Sequence, residues 1–116
     1  MLIPITELVK KTKEVISTVS ATEAAELYQQ SNCLLIDVRE ASEAEASAIQ
    51  HAISIPRGIL EAKIIATCND ENMPILVHCQ TGGRACLAVE QLLKMGYKNV
   101  KAITATHQEI CQHFNQ

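Results

Sequence analysis

Two short segments, CLLIDV (33–38) and PILVH (74–78), run apolar without the alternating polar residues of a strand that keeps one face in water. Strands of this kind are buried on both sides, which demands helices above and below them and parallel neighbours reached through those helices. The intervening stretches supply such helices. The sequence therefore predicts an α/β fold of three layers, a mostly parallel sheet of about five strands with helices on both faces.

Helix boundaries are written in the chain. Ser20 and Glu23 have the spacing of a capping box ahead of AAELYQQ, and Thr106 and Glu109 repeat it ahead of EICQHF. Gly96 marks the end of the helix ACLAVEQLLKM, with Lys94 in its last turn. Shorter strands are expected at 15–19, 52–56 and 97–103, and further helices in REASEAEASAI and from about 58 to 67. Residues 1–15 carry Ile5, Leu8, Val9, Thr12 and Val15 at helical spacing, with Lys10, Lys11 and Lys13 on the other faces. They are expected to form an amphipathic extension to a domain spanning 16–116, packing on that domain or mediating a homodimer.

At 116 residues the chain has room for one core. Ten basic against thirteen acidic side chains give a net charge of −3, which argues against a nucleic-acid partner and against an anionic membrane surface. The apolar runs are far short of the roughly 18 to 20 residues that span a bilayer. The N-terminus also lacks the charge order of a signal peptide, so the expected compartment is the cytoplasm. Only three aromatic residues occur, Tyr28, Tyr97 and Phe114, which leaves an aliphatic core and little with which to stack nucleobases. The five cysteines are irregularly spaced and form no CxxC pair, so neither a disulfide framework nor a zinc site is expected. The scattered histidines 51, 107 and 113 suggest no metal site either.

Ligands of open α/β sheets bind beyond the carboxyl ends of the strands. One strand-to-helix junction there combines glycines with a reactive side chain: Cys79-Gln80-Thr81-Gly82-Gly83-Arg84. Gly82 and Gly83 can adopt positive φ and turn successive N–H groups inward as an anion-binding nest. The helix N-terminus adds partial positive charge and Arg84 a full one. All three favour a thiolate at Cys79 and hence a nucleophile. The loop reads C-x4-R, one residue shorter than the C-x5-R loop of cysteine-dependent phosphatases. One residue is worth up to about 3.5 Å of contour, so the ring of amides should be too tight for a phosphate and suited to one extra sulfur.

This loop after a hydrophobic strand resembles the active-site loop of rhodanese-like, single-domain sulfurtransferases. LLIDVRE (34–40) is similar to the family's first signature and AISIPRG (52–58) to the segment that ends it, so the resemblance covers roughly residues 16–116. It implies a cysteine that takes sulfane sulfur from a small-molecule or protein donor such as thiosulfate, holds it as a persulfide and passes it to a thiophilic acceptor, with no cofactor. By motif position Cys79 is that nucleophile, the amides of Gln80 to Arg84 form the cradle, and Arg84 orients the anion. The chain departs from the pattern at Ala44 and Ser47-Ala48, where the family has an aromatic residue and a Gly-His pair. It departs again at Ala85, where Ser or Thr is usual, and at Ala105-Thr106 and Ile110, which replace a Gly-Gly turn and a Trp. A cysteine phosphatase, an arsenate reductase and a non-catalytic interaction module remain the alternatives.

Other residues have two readings each. Asp37 and Arg39 either shape the pocket rim and contact substrate, or Asp37 caps the next helix while Arg39 pairs with Glu40 or Glu43. His78, on the opposite strand face from its neighbours, is either a proton carrier or a hydrogen-bonded structural residue. Cys86 either resolves a persulfide or packs. Cys33 and Cys111 are expected in the core, and Cys68, in a polar turn, at the surface.

Overall fold

A computed structural model describes residues 1–115. Six helices are arranged about one sheet: α1 (Ile5–Lys13), α2 (Ala21–Gln30), α3 (Ala41–Ala46), α4 (Leu60–Thr67), α5 (Gly83–Met95) and α6 (His107–Phe114). The strands are β1 (Ser17–Val19), β2 (Leu34–Asp37), β3 (Ile53–Ser54), β4 (Ile75–His78) and β5 (Val100–Ile103), in the order β1-β5-β4-β2-β3. Every pairing is parallel. The expected three-layer α/β fold is the one observed.

The two apolar runs take the central places, β2 and β4 side by side, because only there are both faces covered. Ile36 and Val77 face α4 and α5, against Leu60, Ile64, Ala88, Val89 and Leu92. Leu35 and Leu76 face the other way, onto Ala21, Ala24 and Ile110 of α2 and α6. Register pairs Asp37 with His78, so the last residues of both central strands finish at one level. That level is the carboxyl end of the sheet, where the Cys79 loop begins.

Both predicted capping boxes form: the Ser20 and Thr106 hydroxyls accept from the backbone N–H of Glu23 and Glu109, whose carboxylates accept from the cap N–H in return. Gly96 ends α5 at φ 111°. The α1 helix lies on α5, with Val9 packed against the core and Thr12 buried, so it uses its own domain as a surface. Met1, Leu2, Ile3 and Ile5 of its leading segment stay exposed. Among the described residues no helix is long and apolar enough to cross a membrane.

Three expectations are corrected. The segment from Arg39 supplies only the six-residue α3, and 52–56 only the two-residue β3. Cys68 is not exposed: it is 6% accessible, its thiol points to the Asp70 carbonyl, and its own carbonyl accepts the Tyr97 hydroxyl. The buried ring of Tyr97 closes the polar turn over the thiol, a long-range packing that the turn's local composition does not encode.

Candidate active site

Cys79 follows β4 directly and is 1% exposed. Its Sγ accepts the N–H groups of Gly82 at 3.1 Å and Ala85 at 3.3 Å. These donors come from the first turn of α5, whose N–H groups have no partner within the helix. The sulfur thus sits where the helix end and two aimed dipoles stabilise negative charge.

Gly82 makes this possible. It has φ 103°, a left-handed value that L side chains rarely adopt. A Cβ there would also stand 3.3 Å from Thr104 Cα and 3.6 Å from the Ile103 carbonyl oxygen. Gly83, expected to share this role, does not: only Gly82 and Gly96 among the glycines have positive φ, and Gly83 is already the first residue of α5. Gly82→Ala is expected to slow alkylation of Cys79 at least about tenfold and to cost on the order of 1–3 kcal/mol in a urea titration, because the loop must leave its left-handed turn. An unchanged labelling rate would show that the Gly82 N–H does not matter to the sulfur.

Arg84 does not stand alone. Its Nη1 and Nη2 donate to the two carboxylate oxygens of Glu43 on α3, at 2.7 and 3.0 Å. Glu43 Oε1 also accepts the N–H of Glu40. The guanidinium fork holds the Glu43 carboxyl down at about 2, and the same bond raises Arg84. The pair is about one-third exposed, so its contribution to stability is screened and small. Its importance is positional, since it ties α3 across the mouth of the loop. Two of the five guanidinium N–H groups are engaged by Glu43.

Gln80 and Thr81 are exposed at the tip of the loop. The Gln80 carbonyl accepts the His107 N–H at 2.8 Å, which pins the loop to the start of α6. Asp37 and Arg39 are both 2% exposed and bond to each other: Asp37 Oδ1 accepts the Arg39 backbone N–H at 3.0 Å, and Oδ2 accepts Nη2 at 2.7 Å. Arg39 Nη2 also reaches the Ser47 carbonyl at 2.7 Å. Asp37 therefore caps no helix, and Arg39 pairs with neither Glu40 nor Glu43. Arg39 and its partner brace the end of α3 from beneath rather than lining an open rim.

His78 is fully buried, but neither ring nitrogen has a hydrogen-bond partner among the described residues, so the expected hydrogen-bonded histidine is corrected. Its ring stacks on that of His107, centroids 6.1 Å apart. Cys86 is fully buried in the core, and burial pushes its thiol up, which supports packing. Sequence reasoning passed over Glu43 as a partner of Arg84, Ala85 as an N–H donor, and Ser47 and His107 as neighbours of the loop. Only Glu43 carried a local signal, its position three residues after Glu40.

The profile of the Rhodanese-like domain family matches residues 20–106, and the chain belongs to that family. It is 33% identical to the thiosulfate sulfurtransferase PspE of Escherichia coli K12, over 57% of this chain and 64% of that protein. Among solved structures it resembles the human single-domain sulfurtransferase TSTD1, with a TM-score of 0.71 and 26% identity over 82% of this chain and 95% of that one. It also resembles the polysulfide-sulfur transferase homodimer of Wolinella succinogenes, with a TM-score of 0.76 and 28% identity over 90% and 80%. The chain spans 59 to 64% of the length of the curated relatives it matches.

Proposed function

We propose that the protein is a sulfurtransferase or persulfide carrier that moves sulfane sulfur through Cys79. The observation that carries this reading is the closeness of the cradle: Gly82 and Ala85 donate to the sulfur itself, in a C-x4-R loop whose arginine fork already holds Glu43. A phosphatase needs that fork for two phosphate oxygens. Here both of its arms meet a carboxylate. The relatives named as thiosulfate or polysulfide sulfurtransferases support the same chemistry.

In the proposed reaction the Cys79 thiolate attacks the outer sulfur of thiosulfate. A new S–S bond forms, the S–S bond of the donor breaks, and sulfite leaves with the electron pair. The persulfide keeps one negative charge, held by the first-turn N–H groups and the field of Arg84. A thiophilic acceptor, a small molecule or a protein thiol, then attacks the terminal sulfur and releases the Cys79 thiolate. Asp37 and Arg39 act on this site through α3, as a buried brace. No step calls for a cofactor.

Mass spectrometry after exposure to thiosulfate or a persulfide donor tests the reading. A single added sulfur on Cys79, removed by cyanide, is the expected result. Hydrolysis of an aryl phosphate without any adduct would overturn it in favour of a phosphatase, and no adduct with any donor would leave a non-catalytic module.

Glu43 gives a second test. Its carboxylate neutralises Arg84 at the mouth, so Glu43→Gln should strengthen attraction for a dianionic donor. The KM for thiosulfate is expected to fall about two- to fivefold, with a steeper dependence on ionic strength. A rise in KM would mean that holding Arg84 in place outweighs neutralising it.

A further inference from the structure

We propose that Cys111 is a second sulfur-accepting thiol, with His107 as its base, fed by low-molecular-weight persulfides and polysulfides. Cys111 is half-buried on α6, and its Sγ lies 3.3 Å from His107 Nε2, one helical turn earlier. The same nitrogen is 3.1 Å from the Ser47 hydroxyl. His107 is itself only 6% exposed, and its Nδ1 has no partner among the described residues. The adjacent His78 has none at either nitrogen. The imidazole at Cys111 is thus fixed in orientation yet not committed to a structural bond at its second nitrogen.

The other thiols lack such a base. Cys33 Sγ meets the Ser31 hydroxyl and the Leu27 carbonyl, Cys68 meets a carbonyl under Tyr97, and Cys86 is enclosed in the core. Cys33 shares the partial burial of Cys111 without the imidazole, which makes it an internal control. The cluster also borders the Cys79 loop: the His107 N–H holds the Gln80 carbonyl, and Arg39 holds the Ser47 carbonyl. Ser47 and the start of α6 belong to the segments where this chain departs from the family pattern.

Chemically, His107 Nε2 takes the Cys111 proton and the thiolate attacks the outer sulfur of a persulfide, R–S–SH. A Cys111–sulfur bond forms, the donor's S–S bond breaks, and the departing thiolate receives the proton from His107. The products are a Cys111 persulfide and RSH, with no oxidant or reductant required. The charged groups facing His107 are Arg39, Asp37 and Glu43, together with the neighbouring His78.

The choice of sulfur donors rests on the reading of the Cys79 site, so the test separates the two. The full chain carrying Cys79→Ser is incubated with glutathione persulfide, quenched by alkylation and analysed peptide by peptide. Cys111 is expected to gain one sulfur at least about fivefold faster than Cys33. His107→Phe in that background should remove the advantage while leaving Cys33 unchanged. Should that variant not fold, the ratio of the Cys111 to the Cys33 rate is followed as pH falls from about 9 to about 6.5. It should rise, because the imidazole can still take the thiol proton when an ordinary thiol is no longer ionised. Equal rates at the two cysteines, a folded His107→Phe variant that keeps the advantage, or a flat ratio would overturn the proposal. Cys79 is absent from these proteins, so failure at Cys111 leaves the Cys79 reading standing, and an unreactive Cys79 in the wild type leaves the Cys111 result standing.

Discussion

Cys79→Ser is expected to lower thiosulfate-to-cyanide sulfur transfer at least about a thousandfold while leaving thermal unfolding within a few degrees of wild type. The asymmetry follows from the surroundings of the side chain. A serine hydroxyl fits the space of the thiol and can accept from the same Gly82 and Ala85 N–H groups that the sulfur meets at 3.1 and 3.3 Å, so no buried donor is left unpaired. It is not appreciably ionised near neutral pH, and it cannot form the S–S bond on which transfer depends. Among the described cysteines no other Sγ meets two backbone N–H donors, so a dianionic donor has no comparable place to react. Cys111 faces an imidazole, suited to removing a proton from a thiol rather than to holding thiosulfate. Thiocyanate formation measures the activity, and circular dichroism on heating measures the fold. Retention of more than about a tenth of the activity would move the nucleophile to another cysteine.

The architecture was largely legible because its signals are local. An unbroken apolar run says that both faces are covered, and a Ser or Thr three residues before Glu says where a helix starts; β2, β4, α2 and α6 follow from those rules. The candidate loop was legible for the same reason, since Cys79, Gly82 and Arg84 fall within six consecutive residues. What escaped depends on contacts between distant segments. Arg84 meets Glu43 across 41 positions, and Ser47 meets His107 across 60. Asp37 and Arg39, two apart, pair with each other because the chain bends after β2 before α3 starts, where the sequence offered a helix cap for Asp37 and Glu40 or Glu43 for Arg39. Two adjacent glycines look alike in sequence, so either can take a positive φ, but one left-handed residue, Gly82, is enough to aim the first turn of α5 at the sulfur.

The same blindness to distant packing hid His78, and it gives the largest effect expected on the pH dependence of stability. His78 is fully buried at the end of β4, and burial is the main cause pushing it from 6.5 down to about 4. Asp37 pulls the other way, while Arg39 and His107 add to the lowering. Folded His78 is therefore neutral through the range in which the unfolded histidine takes up a proton. Between about pH 6.5 and 4 the unfolded chain binds more protons than the native one, so stability falls as pH falls across that window. The loss from this one residue is about 2 kcal/mol between pH 7 and 4.5. His78→Leu removes it, so urea titrations at those two pH values should differ by about 2 kcal/mol less in the variant than in the wild type. The comparison uses the change with pH, so any packing cost of leucine cancels. The Glu43–Arg84 pair starts to lose its own screened contribution at the acid end of this window, as the unfolded Glu43 carboxyl takes up a proton near 4.5 while the native one is held at about 2, but that loss is common to wild type and variant and cancels in the comparison. A variant that loses stability as steeply as wild type between pH 7 and 4.5 would show that the native protein accommodates a proton on His78. Asp37, paired with it in register at the end of β2, would then be the group that holds the charge.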